Sequence, residues 1–378
     1  MDEREHEAGG STTTSLAEES AGIRVAGYAT PAATAPLAPF TFERRAPGPR
    51  DVLIKVLYCG VCHSDIHQAH DDWQAMMPAI FPMVPCHEIV GEVVRVGHQV
   101  EKWKAGDIVG VGCFVDSCRE CEPCRAGEEQ YCEKGATYTY NGYESDGKTP
   151  TFGGYSTQIT VDEGYVLRIP EGLPLEGAAP LLCAGITTYS PLRRHGVKAG
   201  DPIAVVGLGG LGHMAVKLAK ALGANVTVLS HSPGKREGAL RLGADDFIAT
   251  HDPSVFEKNA GRFKLILDTV SAPHDYNSYL GLLHLDGTMV LLGLPDQPAP
   301  VAAGLLIMQR RNLTGSGIGG IRETQEMLDF CAEHGIVSDV EVIPIQRINE
   351  AYERTIRSDV RYRFVIDISS LREEKPLS

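Results

Sequence analysis

The sequence lacks the features that mark membrane, secreted and nucleic-acid-binding proteins. No apolar run approaches the roughly 20 residues that a membrane-spanning helix needs. The acidic N-terminus has neither the basic start nor the apolar centre of a secretory signal. Lysine and arginine form no run, and a net charge of −14 would repel the phosphates of nucleic acid. These absences predict a cytoplasmic protein with no membrane or nucleic-acid partner.

Cysteine is also scarce, at 10 of 378 residues, which is far below the density of a disulfide scaffold. In the reducing compartment predicted above, such cysteines remain thiols or bind metal. The chain is longer than one hydrophobic core usually supports, so we expect two domains. Residues 1–22 are polar and rich in small side chains, a composition that predicts a disordered tail.

The pattern along the chain changes near residue 185 and again near residue 320. Residues 23–184 contain β-branched runs broken by glycine and proline, which predict a β-rich domain. In residues 185–320, short Val/Ile/Leu strands alternate with helical stretches, as in a doubly wound parallel sheet. Residues 321–378 begin with the amphipathic "ETQEMLDFCAEHG" and later contain the strand-like "RYRFVIDI". We predict an α/β protein whose middle block is inserted between two parts of the other domain.

The stretch "VGLGGLG" places Gly207, Gly209 and Gly212 between the strand-like "IAVV" and a helical segment. In such a unit the first glycine permits a tight turn, the second admits pyrophosphate, and the third lets helix and strand approach. The helix N-terminus then stabilises phosphate charge. This context favours a dinucleotide site over a glycine turn without a ligand.

The end of the next strand, "NVTVLS", indicates which dinucleotide binds. NAD-binding proteins usually carry an acid there, about 20 residues beyond the glycines, to bond the ribose 2′-hydroxyl. Here the strand ends in Ser230, and Ser232, Lys235 and Arg236 follow. These side chains could hold a 2′-phosphate, although a lysine and an arginine at a helix start are often merely solvated. The sequence therefore predicts NADP(H).

Four cysteines lie close together in "DSCRECEPCRAGEEQYC", at Cys118, Cys121, Cys124 and Cys132. Four thiolates at this spacing fit a tetrahedral zinc whose coordination is complete, so the role would be structural. An iron–sulfur cluster and a redox disulfide are the weaker alternatives. A second, scattered set consists of Cys62, His87 and Cys183. Two cysteines and one histidine would leave a fourth zinc position open, as in catalytic sites, although buried cysteine is often inert.

Several segments together resemble the zinc-dependent medium-chain alcohol dehydrogenases, nearest the branch of aldehyde reductases similar to cinnamyl alcohol dehydrogenase. The resemblance covers about residues 23–370, and the matching segments are "CGVCHSD", the four-cysteine lobe, "LLCAGITTYSPL", "VGLGGLGHMAVKLAKALGA", "KREGALRLGAD" and "YRFVID". It implies a GroES-like catalytic domain made of residues 23–184, with a zinc lobe at 113–132, and residues 321–378. It also implies a Rossmann domain at 185–320, two zinc ions per chain, NADP(H) and a homodimer.

The resemblance makes Cys62, His87 and Cys183 the ligands of a catalytic zinc. Glu88 matches an acid that can reach the metal. Asp65 matches the carboxylate that orients the ligand histidine.

Other matched positions concern proton transfer and the cofactor. Ser64 and His67 match a proton-relay hydroxyl and its histidine outlet, whereas His63 and Arg363 match residues that approach the cofactor's phosphates. The remaining expected cofactor-binding residues are Thr187, Gly210, Leu211 and His231.

The implied reaction is zinc-dependent hydride transfer from NADPH to an aldehyde, with alcohol oxidation as the reverse. An NADPH-dependent reductase of an iminium or conjugated enal is a rival with a different substrate. A non-catalytic NADP-binding scaffold is a rival of another class. A zinc-finger nucleic-acid binder is disfavoured by the charge and by the complete dinucleotide unit.

One residue departs from the family pattern. Cys86 stands in "PCHE" where relatives of this family usually have glycine before the His-Glu pair. Cysteine there implies either a negative φ or backbone strain of about 1–3 kcal/mol. The thiol could replace a zinc ligand or occupy substrate space, but we expect a tolerated substitution that leaves His87 on the metal.

Overall fold

The computed structural model describes residues 22–295 and 297–372. The predicted disordered tail, except for its last residue, lies outside the described residues. No helix in the described ranges is long and apolar enough to cross a membrane.

The strands, in chain order, are β1 (Ile23–Ala29), β2 (Ala38–Arg44), β3 (Asp51–Gly60), β4 (Ile89–Val96), β5 (Ile108–Val111), β6 (Phe114–Asp116), β7 (Thr137–Tyr138), β8 (Gln158–Asp162), β9 (Leu167–Arg168), β10 (Pro202–Val206), β11 (Asn225–Ser230), β12 (Asp246–Ala249), β13 (Phe263–Asp268), β14 (Leu283–Leu291), β15 (Asn312–Gly315), β16 (Val340–Pro344) and β17 (Arg363–Asp367).

The α-helices are α1 (His63–His70), α2 (Glu122–Ala126), α3 (Leu175–Ala178), α4 (Ala184–Arg194), α5 (Gly212–Ala221), α6 (Arg236–Arg241), α7 (Ser254–Lys258), α8 (Tyr276–Leu280), α9 (Ala303–Ile307), α10 (Ile321–His334) and α11 (Ile348–Ile356). Short 3-10 turns occur at Glu129–Tyr131, Glu163–Tyr165, Ala179–Leu182, Pro233–Lys235, Ile345–Arg347 and Ile368–Arg372.

The second half of the chain forms a six-stranded sheet of order β12-β11-β10-β13-β14-β15, in which every neighbouring pair is parallel. This is the Rossmann order, with its switch point between β10 and β13. Central residues such as Val205, Val228 and Leu267 are fully buried, as parallel strands covered on both faces require. The predicted doubly wound sheet is confirmed.

The other large sheet has the order β16-β17-β3-β4-β5-β9, and β8 pairs with β3. Two C-terminal strands, β16 and β17, thus share a sheet with strands from the first half of the chain. Strand β17 is antiparallel to β3, with Val365 opposite Gly60. The C-terminal segment therefore ends beside the turn between β3 and α1, where Cys62 lies. The domain boundaries near 184 and 320 remain a prediction.

Candidate active site with two metal clusters

The glycine turn lies at the carboxyl end of β10, at the switch point of the parallel sheet. Gly207 has φ +88°, a left-handed conformation that glycine adopts without strain. A Cβ on Gly212 would lie 2.2 Å from the Gly207 carbonyl oxygen, so only glycine lets α5 start this close to the turn. Over Gly209 the space is open, because a Cβ there would meet no atom within 4 Å. This open cradle at a helix N-terminus fits pyrophosphate.

Ser230 is the last residue of β11, and its buried hydroxyl accepts a hydrogen bond from the Ser232 amide at 3.3 Å. Lys235 donates to the Leu208 carbonyl at 3.1 Å, beside the glycine turn. The strand end therefore offers hydroxyl and ammonium groups rather than a carboxylate, a donor set that fits a 2′-phosphate.

Other predicted cofactor residues differ in how available their side chains are. Arg236 donates to the Phe247 carbonyl at 2.8 Å, and its guanidinium lies 5.5 Å from the centre of the Phe247 ring. To bind a phosphate as expected, Arg236 would have to leave its contacts with Phe247. His231 is exposed, with its ring 6.3 Å from that of His251. Thr187 is buried in α4, one turn beyond Cys183.

The scattered metal set is gathered at one point. One ligand atom from each of Cys62, His87, Glu88 and Cys183 lies within 4.8 Å of the others, and all four residues are buried. The Cys62 and Cys183 sulfurs are 3.9 Å apart, although 121 positions separate them in sequence. Two thiolates on one tetrahedral zinc would lie about 3.8 Å apart. The donor set fits zinc.

Asp65 holds two of these ligands in place. Its carboxylate lies 3.2 Å from His87 Nδ1 and accepts the backbone amide of Cys62 at 2.9 Å. It also accepts the Cys86 amide at 3.2 Å, whereas the ring of Tyr140 stacks on His87 with centroids 5.7 Å apart. The fully buried Asp65 thus fixes the histidine so that Nε2 is the nitrogen left for a metal.

Glu88 and Arg363 form a buried ion pair behind the metal set. Arg363 also donates to the Val61 carbonyl at 2.8 Å. The pKa of Glu88 is raised to about 7, because the effect of burial exceeds the opposing effect of the Arg363 guanidinium. Glu88 Oε2 is buried with no hydrogen-bond partner among the described residues, as expected of an atom that can turn toward a metal.

The expected contact between Arg363 and the cofactor's phosphates takes a different form in the structure. One side of the guanidinium is occupied by Glu88, as described above. The side-chain stem lies against the glycine turn, since a Cβ on Gly210 would be 2.8 Å from Arg363 Cδ. Arg363 Nε is buried and has no partner within the described ranges. Arg363 therefore joins the metal set to the glycine turn, and its Nε and Nη1, neither of which donates to a described residue, remain for a phosphate.

The predicted proton-relay residues lie at the start of α1. Ser64 Oγ is 3.5 Å from Cys62 Sγ, beside the metal set. His67 Nδ1 lies 2.8 Å from Asp72 Oδ2, and its Nε2 is buried without a partner in the described part of the chain. The ring of Trp73 stacks on His67 at 4.9 Å. Sequence reasoning missed Asp72, which lies five positions from His67 and is brought back by the turn after α1.

Cys86 has φ +89°, so the backbone keeps the conformation that glycine would adopt there. Of the two expected outcomes, a negative φ or a strained backbone, the structure has the strained backbone, which costs about 1–3 kcal/mol. Its sulfur lies 3.4 Å from the Gly60 carbonyl and outside the group of four ligand residues. Burial and the neighbouring thiol of Cys59 raise the pKa of Cys86 well above its usual value. The thiol belongs to the core behind the metal set.

Cys113, the first residue of the zinc lobe expected at 113–132, also lies at the site. It is half-buried, and its sulfur is 3.8 Å from the Leu182 carbonyl. It lies near enough to His87 and Cys183 to affect the pKa of both, and it raises each of them. It is nevertheless outside the group of four ligand residues.

The second cluster, called here the cysteine lobe, consists of Cys118, Cys121, Cys124 and Cys132, whose sulfurs all lie within 4.8 Å of one another. The sulfur–sulfur distance is 3.8 Å from Cys118 to Cys124 and 4.0 Å from Cys121 to Cys132. All ten cysteines are within the described residues and are free, so none is in a disulfide. Backbone N–H groups, first that of Glu120 and then that of Cys121, lower the pKa of Cys118 to about 6. The lobe fits a second, fully coordinated zinc.

Comparison with known proteins agrees with these features. Residues 48–171 match the family model of the alcohol dehydrogenase GroES-like domain, and residues 210–333 match that of the zinc-binding dehydrogenases. The NADP-dependent alcohol dehydrogenase C 1 of Mycolicibacterium smegmatis is 61% identical over 349 residues, which cover 92% of this chain and 99% of the relative.

Two solved structures also match closely. A cinnamyl alcohol dehydrogenase from Sorghum bicolor has a TM-score of 0.90 and 47% identity, and the match covers 93% of this chain and 100% of that one. A cinnamyl alcohol dehydrogenase from Helicobacter pylori, complexed with NADP(H), has a TM-score of 0.86 and 43% identity over 92% of this chain and 99% of that one. The chain belongs to the zinc-dependent medium-chain alcohol dehydrogenase family, in the branch that includes the cinnamyl alcohol dehydrogenases.

Proposed function

We propose that this protein catalyses reversible hydride transfer between NADP(H) and an alcohol or aldehyde, and that Cys62, His87 and Cys183 hold its catalytic zinc. The observation that carries the proposal is the buried group of two thiols, one imidazole and one carboxylate, joined through Arg363 to an open glycine turn. When bound, zinc supplies a Lewis acid for the substrate oxygen and NADPH supplies the hydride.

The residues around this group position it and exclude water. Asp65 keeps the His87 ring in one orientation and one tautomer, since it accepts from Nδ1. Glu88 lies beside the ligands with one unpartnered oxygen and is available as a fourth ligand when no substrate is present. Burial of all four side chains keeps the site at low dielectric, which strengthens its electrostatic interactions.

The proposed proton path runs between Ser64 and solvent through His67, and it carries a proton inward to Ser64 during aldehyde reduction and outward during alcohol oxidation. The Ser64 hydroxyl, beside Cys62, is placed to give a proton to the substrate oxygen during aldehyde reduction. His67 keeps Nε2 facing inward, because its Nδ1 is held by Asp72. Asp72 is 41% exposed at its side chain, so it connects His67 to bulk water.

The cofactor preference is tested by kinetics with both dinucleotides across a panel of aromatic and aliphatic aldehydes. We expect kcat/KM to favour NADPH over NADH by at least about tenfold, or about 1.4 kcal/mol. Ser230→Asp should invert the preference, because its carboxylate would repel a 2′-phosphate and bond a 2′-hydroxyl. Equal kcat/KM values for the two cofactors in the unmodified protein would contradict the NADP assignment. Absence of turnover on every aldehyde would contradict the enzyme itself.

We further propose that the cysteine lobe holds a structural zinc, and that the chain works in a reducing compartment such as the cytoplasm, where its thiols persist. The lobe is attached to the segment that joins β15 to α10. Tyr131 Oη accepts from the Gly317 amide at 2.9 Å, and Glu129 accepts from the Ile321 amide at 3.1 Å. A metal that orders the lobe therefore also orders the approach to α10.

A homodimer is also proposed, through the edge of the parallel sheet. Among the described residues β15 pairs only with β14, and its side chains are mostly exposed. Next to it, Ile307 and Met308 are 72% and 78% exposed. Ile307→Glu should convert a dimer to a monomer in light scattering after size exclusion, whereas Ile356→Glu, at a site 51% exposed on α11, should not. A monomeric unmodified protein would contradict the proposal.

A further inference from the structure

The region after β11 holds positive charge that no described carboxylate neutralises. The Lys235 side chain is half-buried, and its ammonium donates to a carbonyl, that of Leu208, without forming an ion pair with any described residue. Burial, and then the charge of Arg361, lower the pKa of Lys235. An anion that binds here would stabilise the charged form of Lys235.

Arg361 is the other cation in this region, and it comes from the far end of the chain. It is exposed, and within residues 22–295 and 297–372 it makes no ion pair or side-chain hydrogen bond. Its charge is near enough to act on Lys235. The acid beside its segment, Asp339, is already paired with Lys217. Lys235, which follows Ser230 and Ser232 closely in sequence, and Arg361 are thus two cations that no described carboxylate pairs with.

The position of Arg361 is set by its neighbour Tyr362. The Tyr362 ring stacks on His213 of α5, with centroids 5.0 Å apart and planes 13° from parallel. Its hydroxyl lies against α6, because a Cβ on Gly238 would come within 2.7 Å of Tyr362 Oη. The Tyr362 amide donates to the Asp339 carbonyl at 2.9 Å. The chain next to Arg361 is therefore fixed against α6, the helix that follows Lys235 directly.

Residues 361–363 connect this cationic region to the metal set. Arg363, two positions beyond Arg361, lies against Gly210 and pairs with Glu88. An anion bound between Lys235 and Arg361 would thus join the Rossmann domain to the segment that reaches the metal ligands.

We propose that Arg361 is a further specificity-determining residue, which binds the 2′-phosphate of NADP(H) together with Lys235 and Ser230. This inference rests on the proposed NADP-dependent function. A phosphate monoester carries a charge of about −1.5 to −2 at neutral pH, so it relieves the repulsion between the two cations and forms charge-assisted hydrogen bonds with both. NAD has no such group, so Arg361 contributes little to its binding.

The test is equilibrium binding of NADP+, 2′,5′-ADP, NAD+ and 5′-AMP to the zinc-loaded protein by isothermal titration calorimetry. Arg361→Gln should weaken NADP+ and 2′,5′-ADP by about tenfold, or about 1.4 kcal/mol, and leave NAD+ and 5′-AMP unchanged. Arg361→Lys should recover part of the loss, because it restores the charge but not the planar fork. Arg357→Gln is the matched control, since Arg357 is nearby but pairs with Glu353 on α11.

The possible results separate this inference from the proposed function. Equal weakening of NAD+ and NADP+ by Arg361→Gln would overturn the role of Arg361, because it would indicate disturbed folding of the segment. Unchanged binding of NADP+ would overturn it as well. If the unmodified protein binds NAD+ as tightly as NADP+, the NADP-dependent function fails and this inference fails with it. Circular dichroism and the melting temperature of each variant establish that the binding data refer to folded protein.

Discussion

The two cysteine-rich clusters are similar in composition but differ in how the fold assembles them. The cysteine lobe takes its four thiols from a single loop, residues 118–132, and its backbone N–H groups point at the sulfurs. The metal set near Cys62 draws ligands from three separate segments, and 121 positions separate its two thiols. We therefore expect the lobe to depend on a metal for its order, and the second set to be held mainly by the strands and helices around it.

The surroundings of the two clusters also differ. Behind the metal set, Asp65, Arg363 and the strands of a large sheet hold the ligands in place. The lobe contains only the short helix α2 and a 3-10 turn. Its three buried cysteines form a small cluster, against which Cys118 and Ala136 pack. We expect metal loss to remove chemistry at one cluster and stability at the other.

The largest expected effect is at the metal set. Cys183→Ala should lower kcat/KM by about a thousandfold, or about 4 kcal/mol, with zinc content reduced by one equivalent and the fold retained. Cys113→Ala is the matched control, because this thiol lies beside the set but outside the ligand group. Zinc analysis by mass spectrometry and steady-state kinetics check both variants. A fully active Cys183→Ala enzyme with two zinc ions would contradict the ligand assignment.

The next effect concerns the support of the same cluster. Asp65→Asn should weaken zinc binding at the metal set by about 10- to 100-fold, since His87 loses the carboxylate that fixes its ring. The lobe zinc in the same molecule is the internal control and should leave at the unmodified rate. Competition with a chromogenic chelator measures the two release phases. If both phases change equally, Asp65 acts on the whole fold rather than on one site.

The lobe should respond in stability rather than in turnover. Cys121→Ala should lower the melting temperature by about 5 °C or more, or about 2 kcal/mol, because the loop loses the metal that orders it. The kcat of the remaining folded protein should change by less than about threefold. Differential scanning calorimetry and kinetics on purified folded protein test this. A variant of unchanged stability that retains two zinc ions would show that the lobe is not a metal site of the proposed kind.

The smallest effect is expected at Cys86, behind the metal set. Cys86→Gly removes the strain of a φ near +89° but also removes a buried sulfur, so the net change in the free energy of unfolding should stay within about 1 kcal/mol. Zinc content should be unchanged and activity altered only modestly. Loss of one zinc equivalent would instead identify Cys86 as a ligand. A large gain in turnover of simple aldehydes would favour the iminium or enal substrate.

Features that depend on local spacing were predictable from the sequence. The parallel sheet follows from buried strands alternating with helices, and the glycine turn follows "IAVV" as β10 ends at Val206. The amphipathic "ETQEMLDFCAEHG" is α10, which ends at His334. Four cysteines within fifteen positions can meet without help from distant chain, so their cluster was predictable from spacing alone. At Cys86 the sequence left two conformations open, a negative φ and a strained positive φ, and could not decide between them.

Contacts between distant segments were decided by the tertiary structure. Cys62, His87 and Cys183 could be grouped through a family resemblance, but only pairing of β3 with β17 and the packing of α4 bring Arg363 and Cys183 to them. The pairing of Glu88 with Arg363 has no sequence signal, because it joins side chains from segments 275 positions apart. Asp72 is close to His67 in sequence, but their contact depends on the turn that ends α1. Local sequence thus determined which elements form and which thiols cluster within a loop. A buried charge is stable only with a partner, and burial arises only when the elements pack.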